Sequence, residues 1–180
     1  MPVRLGQRVV LRILDSTGSI LDIPKLILAP RLAAVVEQMV NRPQGMVLIA
    51  GPTGSGKTTT LYSLLRHKMK RSQGINVVTA EDPIEYSLPN VAQVEINEGR
   101  GLAFPAALRG FLRQDPDVIL IGETRDAETA KISVQAALTG HMVFSSMHAN
   151  SAAETLVRLH EFDIGGFLIA SALNGVIFQR

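Results

Sequence analysis

The segment Gly51-Pro52-Thr53-Gly54-Ser55-Gly56-Lys57-Thr58 constrains this chain more than any other, because it fits the pattern Gly, four residues, Gly-Lys-Ser/Thr. It follows directly on the apolar run Met46-Val47-Leu48-Ile49-Ala50 and precedes Thr59-Thr60-Leu61-Tyr62-Ser63-Leu64-Leu65, so strand, loop and helix are expected in that order. The glycines let successive backbone N–H groups turn toward one concavity, and the following helix aims the positive end of its dipole at the same spot. Such a cradle holds polyphosphate oxygens. Lys57 would reach the β and γ phosphates and Thr58 would hold Mg²⁺ through its hydroxyl. A nucleoside triphosphate is therefore expected to contact Gly51, Pro52, Thr53, Gly54, Ser55, Gly56, Lys57, Thr58 and Thr59.

With 180 residues the chain has room for one domain with a core, and its 46% hydrophobic and 19% charged residues exclude a disordered or fibrous chain. A net charge of only +2 carries no nucleic-acid signature, so no direct nucleic-acid partner is expected. The densest basic cluster, Arg66-His67-Lys68-Met69-Lys70-Arg71, reads as the solvated end of the helix after the phosphate loop, where cations complement the dipole. Absence of cysteine removes disulfides, thiolate zinc sites and thiol nucleophiles from these residues and fits a reducing compartment. No run reaches the roughly 18 to 20 apolar residues that span a bilayer. The longest uncharged run, residues 164–178, reads as a buried helix.

Residues 8–15 read as a strand, with Asp15-Ser16-Thr17-Gly18 as a turn. A strand with so little before it has no partner, so residues 1–21 are expected to be the remnant and linker of a preceding domain. Residues 22–180 would then form the main domain. Helical spacing covers residues 31–40, and Asn41-Arg42-Pro43-Gln44-Gly45 ends it. After the phosphate loop come three more apolar runs, Ile75-Asn76-Val77-Val78-Thr79-Ala80, Asp117-Val118-Ile119-Leu120-Ile121 and Met142-Val143-Phe144-Ser145-Ser146, with helices between them. Near-continuous apolar strands alternating with helices imply an α/β fold whose parallel sheet is covered on both faces.

In such sheets ligands sit beyond the carboxyl ends of the strands. There stand Glu81-Asp82-Pro83-Ile84-Glu85-Tyr86, Gly122-Glu123-Thr124-Arg125-Asp126 and Met147-His148-Ala149-Asn150. Phosphoryl transfer needs in-line geometry, neutralised charge and an oriented nucleophile. A carboxylate near the γ phosphate can take a proton from water, and a second can hold the Mg²⁺ shell. Glu85 and Glu123 are the candidates; spacing does not say which does which.

Four segments together resemble the secretion ATPases of type II secretion and type IV pilus assembly, in the additional-strand branch of RecA-like motors. GPTGSGKTTT (51–60) looks like that family's phosphate loop, and EDPIEY (81–86) resembles its aspartate box. DPDVILIGETRD (115–126) is similar to its Walker B segment, and Thr139-Gly140-His141 through Ser145-Ser146-Met147-His148 to its histidine box. The resemblance implies a RecA-like core that hydrolyses ATP with Mg²⁺ in a hexameric ring. It also implies Glu85 as general base, Glu123 as the acid near Mg²⁺, and His148 as a γ-phosphate sensor, with His141 matching the family's other histidine. Arg12 matches an arginine delivered from the preceding domain. Arg109 and Arg113, four apart on one expected helix face, match arginines at the nucleotide and subunit border. The partners implied are further copies of the chain and inner-membrane platform proteins of a secretion or pilus machine. The implied location is cytoplasmic, peripheral at that membrane. Pilus retraction remains an alternative, as do a small-molecule kinase on the same loop, for which no arginine-rich lid segment is present, and a scaffold that binds ATP without turnover.

Overall fold

The computed structural model describes residues 2–4, 6–7, 21–27 and 29–180. The strand expected over residues 8–15, with Arg12, lies outside the described residues. Two short strands, β1 (Pro2–Val3) and β2 (Gly6–Gln7), pair antiparallel. Helices α1 (Ile23–Leu26) and α2 (Pro30–Asn41) follow, then β3 (Gly45–Ala50) and α3 (Lys57–Arg71) around the phosphate loop. Next come β4 (Val77–Glu81), β5 (Ala92–Glu95), α4 (Phe104–Phe111) and β6 (Val118–Ile121). The chain continues through α5 (Ala127–Leu138), β7 (Met142–Met147), α6 (Ala152–Glu161), α7 (Gly166–Ala172) and β8 (Leu173–Phe178).

Six strands form one sheet in the order β5-β4-β6-β7-β3-β8, and every neighbouring pair is parallel. The four inner strands are buried at every residue, which is why they read as largely apolar runs, with Thr79, Glu81, Ser145 and Ser146 the polar exceptions, and not as an alternation. Successive side chains still divide between two faces. Met46, Leu48, Val78, Ile119 and Val143 pack with Phe104, Leu108, Val134 and Leu159 on the side of α4 to α7. Val47, Ile49, Val77, Leu120 and Phe144 pack with Val36, Val40, Leu61, Leu64 and Leu65 on the side of α2 and α3. Truncating such a residue, Leu120→Ala for example, costs about 2–5 kcal/mol.

Two features differ from expectation. Residues 164–178 are not one buried helix: seven of them form α7 and six form β8, which lies parallel to β3 at the edge of the sheet. Gly175 there packs under the Met39 side chain of α2, whose sulfur would stand 2.4 Å from an added Cβ and would have to swing aside. The basic end of α3 is only partly solvated. Lys68 is buried, donates to the Arg42 carbonyl at 2.8 Å just past the end of α2, and has its pKa lowered by that burial.

Side-chain caps fix the segments that leave β6 and β7. Asp126 accepts from the Thr129 amide at 2.8 Å and from its hydroxyl at 2.7 Å, starting α5. Ser151 accepts from the Glu154 amide at 3.0 Å, and Glu154 in turn accepts from the Asn150 amide at 2.8 Å, starting α6. The short connections carrying Glu123 and His148 are thus held at both ends.

Candidate active site

The carboxyl ends of β3, β4, β6 and β7 open on one cleft of about 590 Å³. Thr53, Gly54, Gly56, Lys57, Thr58 and Thr59 line it, together with Glu85, Glu123, Arg125 and His148. Gly56 adopts a left-handed conformation at φ +84° directly before the first residue of α3, so the helix N-terminus meets the loop without a side chain in the way. Pro52 and Ser55 face a second concavity of about 440 Å³ behind the loop, which Thr53 and Gly54 share with the cleft.

Lys57 donates to the carbonyls of Gly51 at 3.0 Å and Pro52 at 2.9 Å. Burial pulls its pKa below the ordinary lysine value and the Glu123 carboxylate pushes it back up, so the acid and the cation sense each other across the cleft. The back of the loop is buttressed by Gln179, whose amide side chain donates to the Ser55 carbonyl and whose backbone N–H donates to Ala50 at 2.9 Å. A Cβ on Gly51 would come within 2.3 Å of the Gln179 carbonyl oxygen, so this close approach requires glycine.

Glu123 is gripped from two sides. Its Oε1 lies 3.1 Å from His148 Nε2, and its Oε2 accepts from Arg125 Nε at 2.7 Å. Arg125 also reaches Asp82 at 3.6 Å, and the Glu123 hydrogen bond raises the arginine's pKa further. Ser146 donates to the Gly122 carbonyl at 2.6 Å and Thr124 N–H to the Ser146 carbonyl at 2.8 Å, tying the ends of β6 and β7 together beneath this group. Glu85 is held otherwise. It is half-buried on the loop after β4, and among the described residues no hydrogen bond or ion pair engages its carboxylate.

Other expected residues fall elsewhere. His141 precedes β7 at the end of the sheet opposite the cleft, where its Nδ1 lies 3.0 Å from the Ala136 carbonyl. Arg109 pairs with Glu128 of α5 on the surface. Arg113 lies beyond Phe111, where α4 ends, so the two arginines do not share a helix face. Sequence reasoning passed over Arg125, Gln179 and Asp82 as individual residues. The only signal for Arg125 was an arginine inside an acidic segment, and for Gln179 there was none.

Comparison with known proteins is decisive at this point, because the profile of the type II/IV secretion system protein family matches residues 1–180. The chain belongs to that family. The type IV pilus assembly ATPase PilB of Acinetobacter baylyi is 50% identical over 180 residues, which is 100% of this chain and 31% of that protein. The type II secretion system protein E of Pectobacterium carotovorum is 46% identical over 180 residues, 100% of this chain and 36% of that protein. The chain thus spans about a third of the length of the curated relatives it matches. Among solved structures, the pilus retraction motor PilT with bound ADP superposes with a TM-score of 0.81 at 36% identity, covering 94% of this chain and 50% of that one. The VirB11 ATPase from the Brucella suis type IV secretion system superposes with a TM-score of 0.68 at 25% identity, covering 87% of this chain and 49% of that one.

Proposed function

We propose that this chain is the ATP-hydrolysing core of a ring-forming motor subunit that drives assembly of a type IV pilus or a type II secretion pseudopilus. The observation that carries this reading is the convergence of Lys57, Glu85, Glu123 and His148 on one cleft at the ends of four parallel strands. Lys57 exchanges its bonds to the loop carbonyls for β- and γ-phosphate oxygens. Glu85, whose carboxylate is not otherwise engaged, takes the proton from the water whose oxygen bonds to the γ phosphorus. The bond to the β–γ bridging oxygen breaks, and ADP and phosphate leave. A general base of this kind contributes about 10²- to 10⁴-fold.

Thr58 and Glu123 suit Mg²⁺. No group of three or more acidic or histidine side chains that could cage a metal occurs among the described residues, and Mg²⁺ keeps waters and takes substrate phosphates as ligands. When bound, it neutralises charge on the β and γ oxygens. His148, 3.1 Å from Glu123, links γ-phosphate sensing to that carboxylate. Arg12 would reach the nucleotide from the preceding unit, an arrangement worth on the order of 10³–10⁵ in rate. Arg109 and Arg113, both exposed, would face a neighbouring subunit. The place of His141 at the far end of β7 favours a local structural role.

The full-length protein would act as a hexamer on the cytoplasmic side of the inner membrane, attached through platform proteins. No helix among the described residues is long and apolar enough to cross a membrane. A second reading, pilus retraction, is supported by the likeness to PilT, but the 50% and 46% identities to the assembly and secretion proteins favour the first. The test is phosphate release by the full-length protein. Lys57→Ala should abolish it and Glu85→Gln should lower it about 10²- to 10⁴-fold, and wild-type turnover in either variant would overturn the site assignment. Release without a phosphorylated acceptor separates this motor from a kinase.

A further inference from the structure

Glu85 stands on a stretch that secondary structure does not hold. Residues 83–88 make no backbone–backbone hydrogen bond among the described residues, yet a general base must keep its carboxylate within a fraction of an ångström of its place, since a misplacement of about 1 Å can cost on the order of 10²-fold. Two side chains of the edge strand β5 supply what the backbone lacks. Gln93 and Glu95 are two apart and so share one face of that strand. Gln93 Oε1 accepts from the Leu88 amide at 2.6 Å, and its Nε2 donates to the Tyr86 carbonyl at 3.0 Å. Glu95 Oε2 accepts from the Ile84 amide at 3.2 Å. The backbone is therefore gripped on both sides of Glu85, at residues 84, 86 and 88.

The grip is anchored inside the protein. Gln93 Nε2 also donates to Glu81 Oε1 at 3.0 Å, and Glu81 is 2% exposed. Thr79 donates to the same carboxylate at 2.6 Å, and the buried Tyr62 hydroxyl donates to its other oxygen. Burial first, and then Glu81, push the Tyr62 pKa well above the usual phenol value, so this hydroxyl stays a donor. The Tyr62 ring meets the Tyr86 ring edge-on at 5.8 Å, closing the circuit back to the loop. All polar ends in this network are satisfied, which is what makes a buried polar cluster rigid.

We propose that Gln93 and Glu95 are positioning residues that set where the Glu85 carboxylate stands against the phosphate loop. Neither lines the cleft, so neither touches the nucleotide. The proposal rests on Glu85 being the general base. In the full-length protein, Gln93→Leu should lower kcat for ATP about 10- to 100-fold while KM moves less than about 3-fold, because the phosphate cradle is untouched. Glu95→Ala should lower kcat about 5-fold, and Glu95→Gln, which keeps an acceptor for the Ile84 amide, should restore it. Placed on Glu85→Gln, Gln93→Leu should cause no further loss.

Wild-type kcat in Gln93→Leu, with Glu85→Gln inactive, overturns the proposal. So does equal loss in Glu95→Ala and Glu95→Gln. If Gln93→Leu does not fold, the Glu95 pair alone decides. If Glu85→Gln itself turns over normally, it is the assignment of the base that falls.

Discussion

Glu123 and Glu85 face the same cleft from the ends of adjacent strands, yet the protein holds them in opposite ways. Glu123 sits two residues past β6, with a side chain 14% exposed, and both of its oxygens are taken by His148 and Arg125. Glu85 sits four residues past β4 with its carboxylate unengaged, and the bonds that hold it go to the backbone on either side. A carboxylate whose two oxygens are already engaged, one of them by the Arg125 guanidinium, is suited to carrying charge and poorly suited to accepting a proton. A carboxylate held only through its backbone keeps its lone pairs for water. On the function proposed above, the difference suits Glu85 to the work of the base and Glu123 to a place beside Mg²⁺.

The sharpest way to break this contrast is to neutralise each acid in turn and vary Mg²⁺. Glu85→Gln should lower kcat about 10²- to 10⁴-fold with little change in the Mg²⁺ concentration needed for half-maximal rate. Glu123→Gln should instead raise that concentration severalfold. Steady-state turnover across a Mg²⁺ titration reads both, and the reverse pattern would exchange the two roles.

Gly51→Ala tests the start of the phosphate loop and its packing on Gln179. The added Cβ meets the Gln179 carbonyl at 2.3 Å and Ser55 Oγ at 2.8 Å, and the first of these is backbone that cannot swing aside. Overpacking of this sort costs about 1–3 kcal/mol, readable in thermal or urea unfolding, and it should weaken nucleotide binding as the loop shifts. Unchanged stability and affinity would mean that the β8 end does not buttress the loop.

Arg125→Ala probes the grip on Glu123 itself. It removes the 2.7 Å bond to Glu123 and the 3.6 Å contact to Asp82, leaving the two carboxylates without the cation they share. About a 10-fold fall in kcat is expected, with Arg125→Lys failing to restore it because a lysine cannot present the guanidinium fork. Full rescue by lysine would reduce Arg125 to a point charge.

Much of this arrangement is legible in the chain, and the parts that are not have physical reasons. The inner strands announce themselves because burial on both faces makes them largely apolar, and their order with the phosphate loop fixes which ends meet. Edge strands lack that signature. Ala92-Gln93-Val94-Glu95 has no apolar run, and Leu173 to Phe178 carries Asn174 and Gly175, so one was missed and the other was read as helix. Motif membership also says nothing about which end of a strand a residue occupies. His141 and His148 flank the six residues of β7, and the seven steps between them at strand rise span about 23 Å, so one motif cannot bring both to the same phosphate. Arg113 was placed on a helix face by its spacing from Arg109, but Leu112 already closes α4.

An ion pair far from the cleft supplies the control for the grip on Glu123. Lys70 reaches Asp22 at 2.6 Å, as short as the Arg125–Glu123 bond, but the two side chains are 52% and 47% exposed, against 14% for Glu123. Solvent screens such a pair, so geometry alone should not make it matter. Asp22→Asn is expected to leave ATP turnover unchanged and to lower the unfolding midpoint by less than about 4 °C. The sign of its pH dependence is fixed by the direction of the shift. The Lys70 hydrogen bond holds the Asp22 pKa below the ordinary carboxylate value, so the pair's contribution is present above that value and disappears as pH falls through the lower, folded-state value. Wild type and Asp22→Asn should therefore differ slightly at neutral pH, begin to converge only as pH falls below about 4, and converge in about 1 M salt. A loss of turnover in Asp22→Asn as large as that in Arg125→Ala would mean that burial is not what separates the two pairs, and the contrast between the gripped acid and the exposed one would have to be sought in their distance from the nucleotide.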